Sequence, residues 1–250
     1  MKFLTTIYRW LSSTVFALVI YSLLLGFHLL QWIALNIFGK KTHQKVVDLL
    51  QWFLSKALLI LGIPIRSEGF RSIESIQGKP VIIVANHQSM FDIPPIGWYC
   101  RKLGMTYIAK KSLGRGVPSL SFNIKHGDSI VIDRQNPKES EQDIRNFAKV
   151  LKAKNKAVLF FPEGTRSRNG KPKAFKRRGL QYLLDEIPEA LVLPVTVNNS
   201  WKIFQYGAFP FGVFNPLRFT FHEPLSLEQF SSIDNLIDAA EQTIKRDVTE

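Results

Sequence analysis

The stretch PVIIVANHQSMFD, residues 80–92, decides how this chain is read. PVIIVA (80–85) is a short, continuous apolar run rich in β-branched residues, the pattern of a strand buried on both faces. His87 and Asp92 follow it, five residues apart. On a helix that interval turns two side chains about 140° from each other, so they share no face. They meet only if His87 sits in the turn that leaves the strand and Asp92 lies near the start of the next helix.

Outward from this stretch the pattern alternates. MTYIAK (105–110), SIVID (129–133), KAVLFFP (156–162), ALVLPVTVNN (190–199) and PLRFTFHEP (216–224) read as strands. DIPPIGWYC (92–100) opens a helix, and LGRGVPSLSFNI (113–124) suggests short helical turns. PKESEQDIRNFAKVLKA (137–153), acidic at its start and basic at its end, is a helix. RRGLQYLLDEI (177–187) is another, and SLEQFSSIDNLIDAAEQTIKR (226–246) a closing one. Strand, crossover helix, strand predicts an α/β fold: a mixed, largely parallel sheet flanked by helices, with antiparallel strands near the end. In such sheets the working residues gather at the carboxyl ends of strands. Three polar clusters follow apolar strands here: NHQSMFD after PVIIVA, DR after SIVI, and EGTRSR after AVLFFP.

The N-terminus differs from the rest. WLSSTVFALVIYSLLLGFHLLQWIALNIFG (10–39) holds no charged residue, more than the roughly 20 apolar residues that span a bilayer. A signal peptide would have a shorter apolar core and a small-residue cleavage site. VVDLLQWFLSKALLILGI (46–63) is a second apolar helix, but Asp48 and Lys56 mark it as interfacial rather than spanning. With GKKTHQK (39–45) as the joint, the pair forms either a hairpin dipped into one leaflet or one span plus a surface helix. Trp10, Trp32 and Trp52 suit a membrane interface. Residues 1–63 are therefore expected to be membrane-associated helices, and 64–250 the catalytic domain.

The formal net charge is +13, from 33 Lys and Arg against 20 Asp and Glu. That surface favours anionic partners: a membrane face, a phosphorylated substrate or an acidic carrier. Nucleic acid is a poorer fit, because no basic patch is interleaved with aromatics and the N-terminus is apolar. The single cysteine, Cys100, excludes an intrachain disulfide and Cys-rich zinc sites.

An imidazole oriented by a carboxylate acts as a general base on a hydroxyl near neutral pH. On spacing alone a second reading stays open. Ser89 and Asp92 match a helix capping box, with Pro94 and Pro95 tolerated in the first turn. There is no G-x-S-x-G nucleophile elbow, so a basic His87 would activate a substrate hydroxyl directly. In FPEGTRSRNGKPKAFKRRG (161–179), Gly164 permits close backbone approach, Thr165 offers a hydroxyl and Arg166 a two-pronged phosphate donor. A solvated basic loop drawn to anionic headgroups is the plainer reading of its later residues. Arg134 at a strand end and Lys110 are further phosphate candidates.

Together these residues resemble the 1-acylglycerol-3-phosphate acyltransferases, also called lysophosphatidic acid acyltransferases. NHQSMFD resembles that family's H-x-x-x-x-D motif, with His87 and Asp92 at its ends. FPEGTRS carries its E-G-T-R-S motif from Glu163 to Ser167. IVIDR with Arg134, AKKSL with Lys110 and VLPV with Pro194 resemble its other segments, and the ordered set covers roughly residues 80–197. Two departures stand out. The glycine usual before IVIDR falls at Asp128, with Gly127 one residue earlier, and FKRRG is one residue longer than F-K-x-G.

The resemblance implies a glycerolipid acyltransferase-type fold and transfer of an acyl group from acyl-CoA or acyl-carrier protein to a lysophospholipid hydroxyl. His87 would be the base and Asp92 its orienting carboxylate. Arg166, Lys110 and Arg134 would hold the acceptor phosphate, and Glu163 and Thr165 would contact the glycerol. Backbone N–H groups near Gly164 would help stabilise the oxyanion. Neither metal nor redox cofactor is implied. The catalytic domain is expected on the cytoplasmic side of a membrane, the inner or plasma membrane in a bacterium. The alternatives are another acceptor, glycerol 3-phosphate or a lyso-aminolipid, and a non-catalytic lipid-binding protein of the same fold.

Overall fold

The computed structural model describes residues 2–133 and 135–249. Chain order is α1 (Lys2–Phe38), α2 (Lys40–Ala57), β1 (Ile65–Glu68), α3 (Phe70–Glu74), β2 (Val81–Ala85), α4 (Ile93–Tyr99), β3 (Met105–Lys110), α5 (Leu120–His126), β4 (Ile130–Ile132), α6 (Pro137–Lys154), β5 (Ala157–Phe160), α7 (Arg178–Glu186), β6 (Leu191–Asn198), β7 (Leu217–Phe221) and α8 (Ile233–Asp247). The sheet runs β1-β7-β6-β2-β5-β3-β4. Every pair is parallel except β6 with β7. This is the mixed, largely parallel α/β architecture expected from the alternation of apolar runs and crossover helices.

β2 is buried along its whole length because it separates two cores. Val81, Ile83 and Ala85 face one core with Ile96 of α4, Leu58, Leu61 and Phe16. Ile82 and Val84 face the other, with Phe147 of α6, Leu180 and Leu183 of α7, and Leu236 of α8. That period of two on a strand covered on both sides explains the unbroken apolar run. Phe16 is fully buried between Phe91 and Phe211, at 5.3 and 5.2 Å, so α1 also contributes to the first core.

Four features depart from expectation. β1, with the pattern IRSE, was not anticipated: it is a four-residue edge strand carrying two charges, held by parallel pairing to β7. The joint between the N-terminal helices is Gly39 alone, at φ 81°, and α2 already begins at Lys40. The basic residues of KKTHQK line a helix whose other side buries His43, Val47 and Leu50. The closing helix is shorter than 226–246 suggests. A 3-10 turn covers Leu227–Gln229, and α8 starts afresh with Ser232 accepting the Asn235 N–H at 3.2 Å. Trp52 does not face outward as Trp10 and Trp32 do. It packs on Phe53 and Trp98, with ring centroids 4.8 and 6.3 Å away.

Asp128 stands where the family resemblance wants glycine, and it adopts the glycine conformation, φ 60°. Asp tolerates that region better than most residues. Its carboxylate is gripped by Lys40 at 3.3 Å and by Lys154 and Lys156 at 2.8 Å. Burial pushes its pKa up, but the hydrogen bonds from Lys154 and Lys156 outweigh that and hold it below the usual carboxylate range.

Candidate active site

β2, β5 and β6 are adjacent and parallel, so the chain leaves all three at one edge of the sheet. The loop after β2 brings His87, that after β5 brings Glu163 to Ser167, and that after β6 brings Ser200. Two of the three expected clusters, those after β2 and β5, thus meet at one rim, joined by a third loop after β6 that was not foreseen.

His87 and Asp92 meet as the five-residue interval requires. Ser89 to Asp92 forms a capped 3-10 turn ahead of α4. Asp92 is fully buried, and its Oδ2 accepts from Gln88 N at 2.7 Å and Ser89 N at 2.9 Å, and faces His87 Nδ1 at 2.9 Å. Its Oδ1 accepts from Ser200 Oγ and, at 3.4 Å, from Ser89 Oγ. The capping box and the carboxylate–imidazole pair are thus one device: the cap fixes the oxygen that orients the ring. Five hydrogen-bond contacts thus converge on this buried carboxylate and fix its orientation. The bond to Asp92 reserves Nδ1 for the proton and leaves Nε2 as the basic nitrogen. The His87 side chain is 17% exposed, and one ring face stacks on Phe161 with centroids 4.0 Å apart.

The 163–167 loop clasps the His87 main chain from both sides. His87 N–H donates to Glu163 Oε1 at 3.1 Å, and Ser167 N–H donates to the His87 carbonyl at 2.7 Å. Glu163 is 1% exposed, and its Oε2 has no hydrogen-bond partner. Burial pushes its carboxyl pKa up, opposed by the His87 and Lys173 backbone N–H groups. Gly164 turns the chain at φ 70°, a conformation strained for other residues, and its N–H donates to the Phe161 carbonyl at 3.1 Å. That N–H is therefore already engaged within the loop. Thr165 and Arg166 bulge into solvent between the two clasping points, and Lys173 Nζ donates to the Arg166 carbonyl at 3.0 Å.

Lys110 ends β3, on the far side of β5 from β2, and is exposed. Arg134 lies outside the described residues. Cys100 is buried at the end of α4, and burial drives its thiol pKa far up, which leaves it a packing group. Among the described residues no cluster of three or more His, Cys, Asp or Glu side chains is arranged to hold a metal.

Sequence reasoning missed Ser200, Asn86 and Gln88. Asn86 joins β2 to β6 by exchanging bonds with Val197, its Nδ2 donating at 2.8 Å and its Oδ1 accepting at 2.7 Å. Gln88 Nε2 donates to the Gly170 carbonyl at 3.3 Å, tying the turn to the basic loop. The rule that singled out three polar clusters applies equally to NNSW after LVLPVTV, and would have found Ser200.

The family model described as Acyltransferase matches residues 65–198, more than half of the chain. The chain is 30% identical over 151 residues to a 1-acyl-sn-glycerol-3-phosphate acyltransferase of Limnanthes douglasii, covering 60% of this chain and 50% of that protein. It is 32% identical over 168 residues to one of Cocos nucifera, covering 67% and 49%. The chain thus spans about half the length of the curated relatives it matches. A crystal structure of the 1-acyl-sn-glycerophosphate (LPA) acyltransferase from Thermotoga maritima superposes with a TM-score of 0.71 at 26% identity, covering 98% of this chain and 94% of that one.

Proposed function

The chain belongs to the acyltransferase family, and on that premise we propose that it moves a fatty acyl group from a thioester to the free 2-hydroxyl of 1-acylglycerol 3-phosphate, giving phosphatidic acid and a free thiol. One observation carries the reading: an imidazole bound through Nδ1 to a saturated, buried carboxylate, with its main chain clasped by the EGTR loop. A base needs this arrangement; a structural turn residue does not.

His87 Nε2 takes the proton of the acceptor hydroxyl, and the oxygen attacks the thioester carbonyl. Asp92 stabilises the imidazolium that forms. The tetrahedral oxyanion needs donors. It collapses with loss of the thiolate, which receives the proton from His87. Arg166, with Lys110 and Arg134, holds the acceptor phosphate, as a charged fork or ammonium does well. Thr165 contacts the glycerol, and Glu163 braces His87. The donor is acyl-CoA or acyl-carrier protein, and no metal or redox cofactor takes part.

The acceptor and product are lipids, so the proposal includes a membrane-associated enzyme. Residues 1–63 face the bilayer and 64–250 carry the chemistry on the cytoplasmic side, where thioesters are made. α1 is the one described helix long and apolar enough to cross a membrane. Phe3, Leu4, Leu11, Val15, Leu18 and Leu25 form an exposed apolar stripe along it.

The test is thiol release by the purified full chain, offered acyl-CoA or acyl-carrier protein with a panel of lyso-acceptors. 1-Acylglycerol 3-phosphate should be the preferred acceptor. His87→Ala should abolish transfer and leave membrane association intact. Substantial turnover by that variant overturns the assignment of the base, and a strong preference for another acceptor overturns the substrate.

A further inference from the structure

Residues 205–214, QYGAFPFGVF, leave the rim of the site just behind Ser200 and Trp201. They turn three rings outward: Tyr206, Phe209 and Phe214 are 51%, 42% and 55% exposed. Each ring abuts the first turns of α1. Arg9 lies over Tyr206 at 4.1 Å, Trp10 meets Phe209 edge-on at 5.3 Å, and Tyr8 stacks on Phe214 at 4.8 Å. The loop and the apolar stripe of α1 therefore form one continuous surface.

Backbone bonds tie the loop to the elements around it. Gly207 N–H donates to the Phe204 carbonyl at 3.0 Å, Gly212 N–H to Ile203 at 2.8 Å, and Phe214 N–H to Leu61 at 3.1 Å. Phe211 N–H donates to Ser13 Oγ of α1 at 2.9 Å. On the other side of the rim, Gly170 at φ +79° packs on the Trp201 indole, where a Cβ would collide. This seats the basic loop, with Arg166, Arg168, Lys171 and Lys173 exposed, beside the aromatic one. Cationic side chains, then aromatic rings, then aliphatic ones is the order met on passing from anionic headgroups into a bilayer.

We propose that residues 205–214 are a second membrane contact, distant in sequence from α1, whose Tyr206 and Phe209 rings enter the headgroup–acyl boundary of an anionic bilayer and hold the mouth of the His87 site against it. This rests on the reading of the enzyme as membrane-associated and adds to it a specific element of the catalytic domain.

The test uses the full chain reconstituted into phosphatidylglycerol–phosphatidylcholine vesicles, with a nitroxide on Phe209→Cys. The reference is the same label on Phe70→Cys. Phe70 is exposed to the same degree, 42%, but follows β1, which runs opposite to β2, and so lies at the other edge of the sheet. The native cysteine is buried. The label at 209 should be reached by lipid-soluble oxygen and shielded from a water-soluble nickel chelate, and the label at 70 the reverse. If both are aqueous while the protein stays on the vesicles, the inference is overturned and membrane association stands; if the protein does not bind vesicles at all, both fall. Phe209→Ser should weaken vesicle partitioning by about tenfold and leave thiol release from a water-soluble short-chain acceptor unchanged. Unaltered partitioning also overturns the inference.

Discussion

Replacing Asp92 by Asn and by Ala separates its two jobs. In Asp92→Asn, the amide oxygen set at the Oδ2 position keeps the Gln88 and Ser89 N–H bonds and the His87 contact, while the NH2 group meets the Ser200 and Ser89 hydroxyls. Those hydroxyls rotate to accept. Only the difference between charge-assisted and neutral bonds is lost, about 1 kcal/mol for each of the three. Asp92→Ala instead leaves two buried N–H groups unpaired at ~1–3 kcal/mol each, a large part of a total stability of ~5–15 kcal/mol. For activity the charge matters. With Nδ1 and Oδ2 at 2.9 Å the charge centres of an imidazolium–carboxylate pair are about 4 Å apart, worth ~4 kcal/mol at an effective dielectric of about 20. That corresponds to ~10³-fold in rate. Asp92→Asn should fold, melt somewhat lower than wild type in detergent, and lose ~10³ in kcat for thiol release with little change in KM. Asp92→Ala should lose both fold and activity. A folded Asn variant keeping more than about a tenth of wild-type kcat would mean that Asp92 serves only as a helix cap, and the mechanism would be wrong.

The other predictions concern the clasping loop and its neighbours. Arg166→Ala should raise KM for the phosphorylated acceptor by about tenfold or more and leave the thioester KM alone; unchanged acceptor kinetics contradict the clamp. Ser200→Ala removes one donor from Asp92 and should lower kcat by about tenfold, with Ser200→Thr recovering most of it. A Thr variant no better than Ala would show that packing, not the hydroxyl, matters there. Burial raises the Glu163 pKa, so the native state holds that proton more readily than the unfolded chain. Its favourable effect on stability is complete below the ordinary Glu value and is lost as pH rises through the folded value. Glu163→Gln removes that loss. Melting curves from about pH 4 to pH 8 should fall less steeply with pH for the variant than for wild type, and parallel curves would refute the sign.

Much of this was legible in the chain because the sheet is covered on both faces. β2 and β5 are apolar throughout, and the first polar residues after them mark the rim; β6 is apolar but for the buried Thr196 and Asn198. The capping box at Ser89–Asp92 was legible too, though as an alternative to the His87–Asp92 pair rather than part of it; the 3-10 turn it caps was not. β1 was hidden because an edge strand carrying Arg66 and Glu68 looks like a loop; its strand character comes from β7, a partner far away in sequence. α2 was clipped because Lys40, Lys41 and Lys45 read as a linker, although their helix buries the opposite face. Asp128 looked like a departure from a glycine position, and only the backbone shows that it keeps the glycine conformation while adding a lysine clamp. Ser200 followed a rule already in use and was overlooked because a single hydroxyl carries no charge to draw notice.

The phenyl ring of Phe161 against His87 has a consequence for the fate of the acyl group. A thioester poised beside a general base is open to attack by water as well as by an alcohol, and hydrolysis would waste the donor. Here one face of the imidazole is roofed by a hydrocarbon ring and its inner nitrogen is tied to Asp92. On the proposed reaction the remaining nitrogen is left to an acceptor anchored by its phosphate, an anchorage a solvent molecule lacks. On the proposed reaction, this stacked pair of rings would favour transfer over hydrolysis.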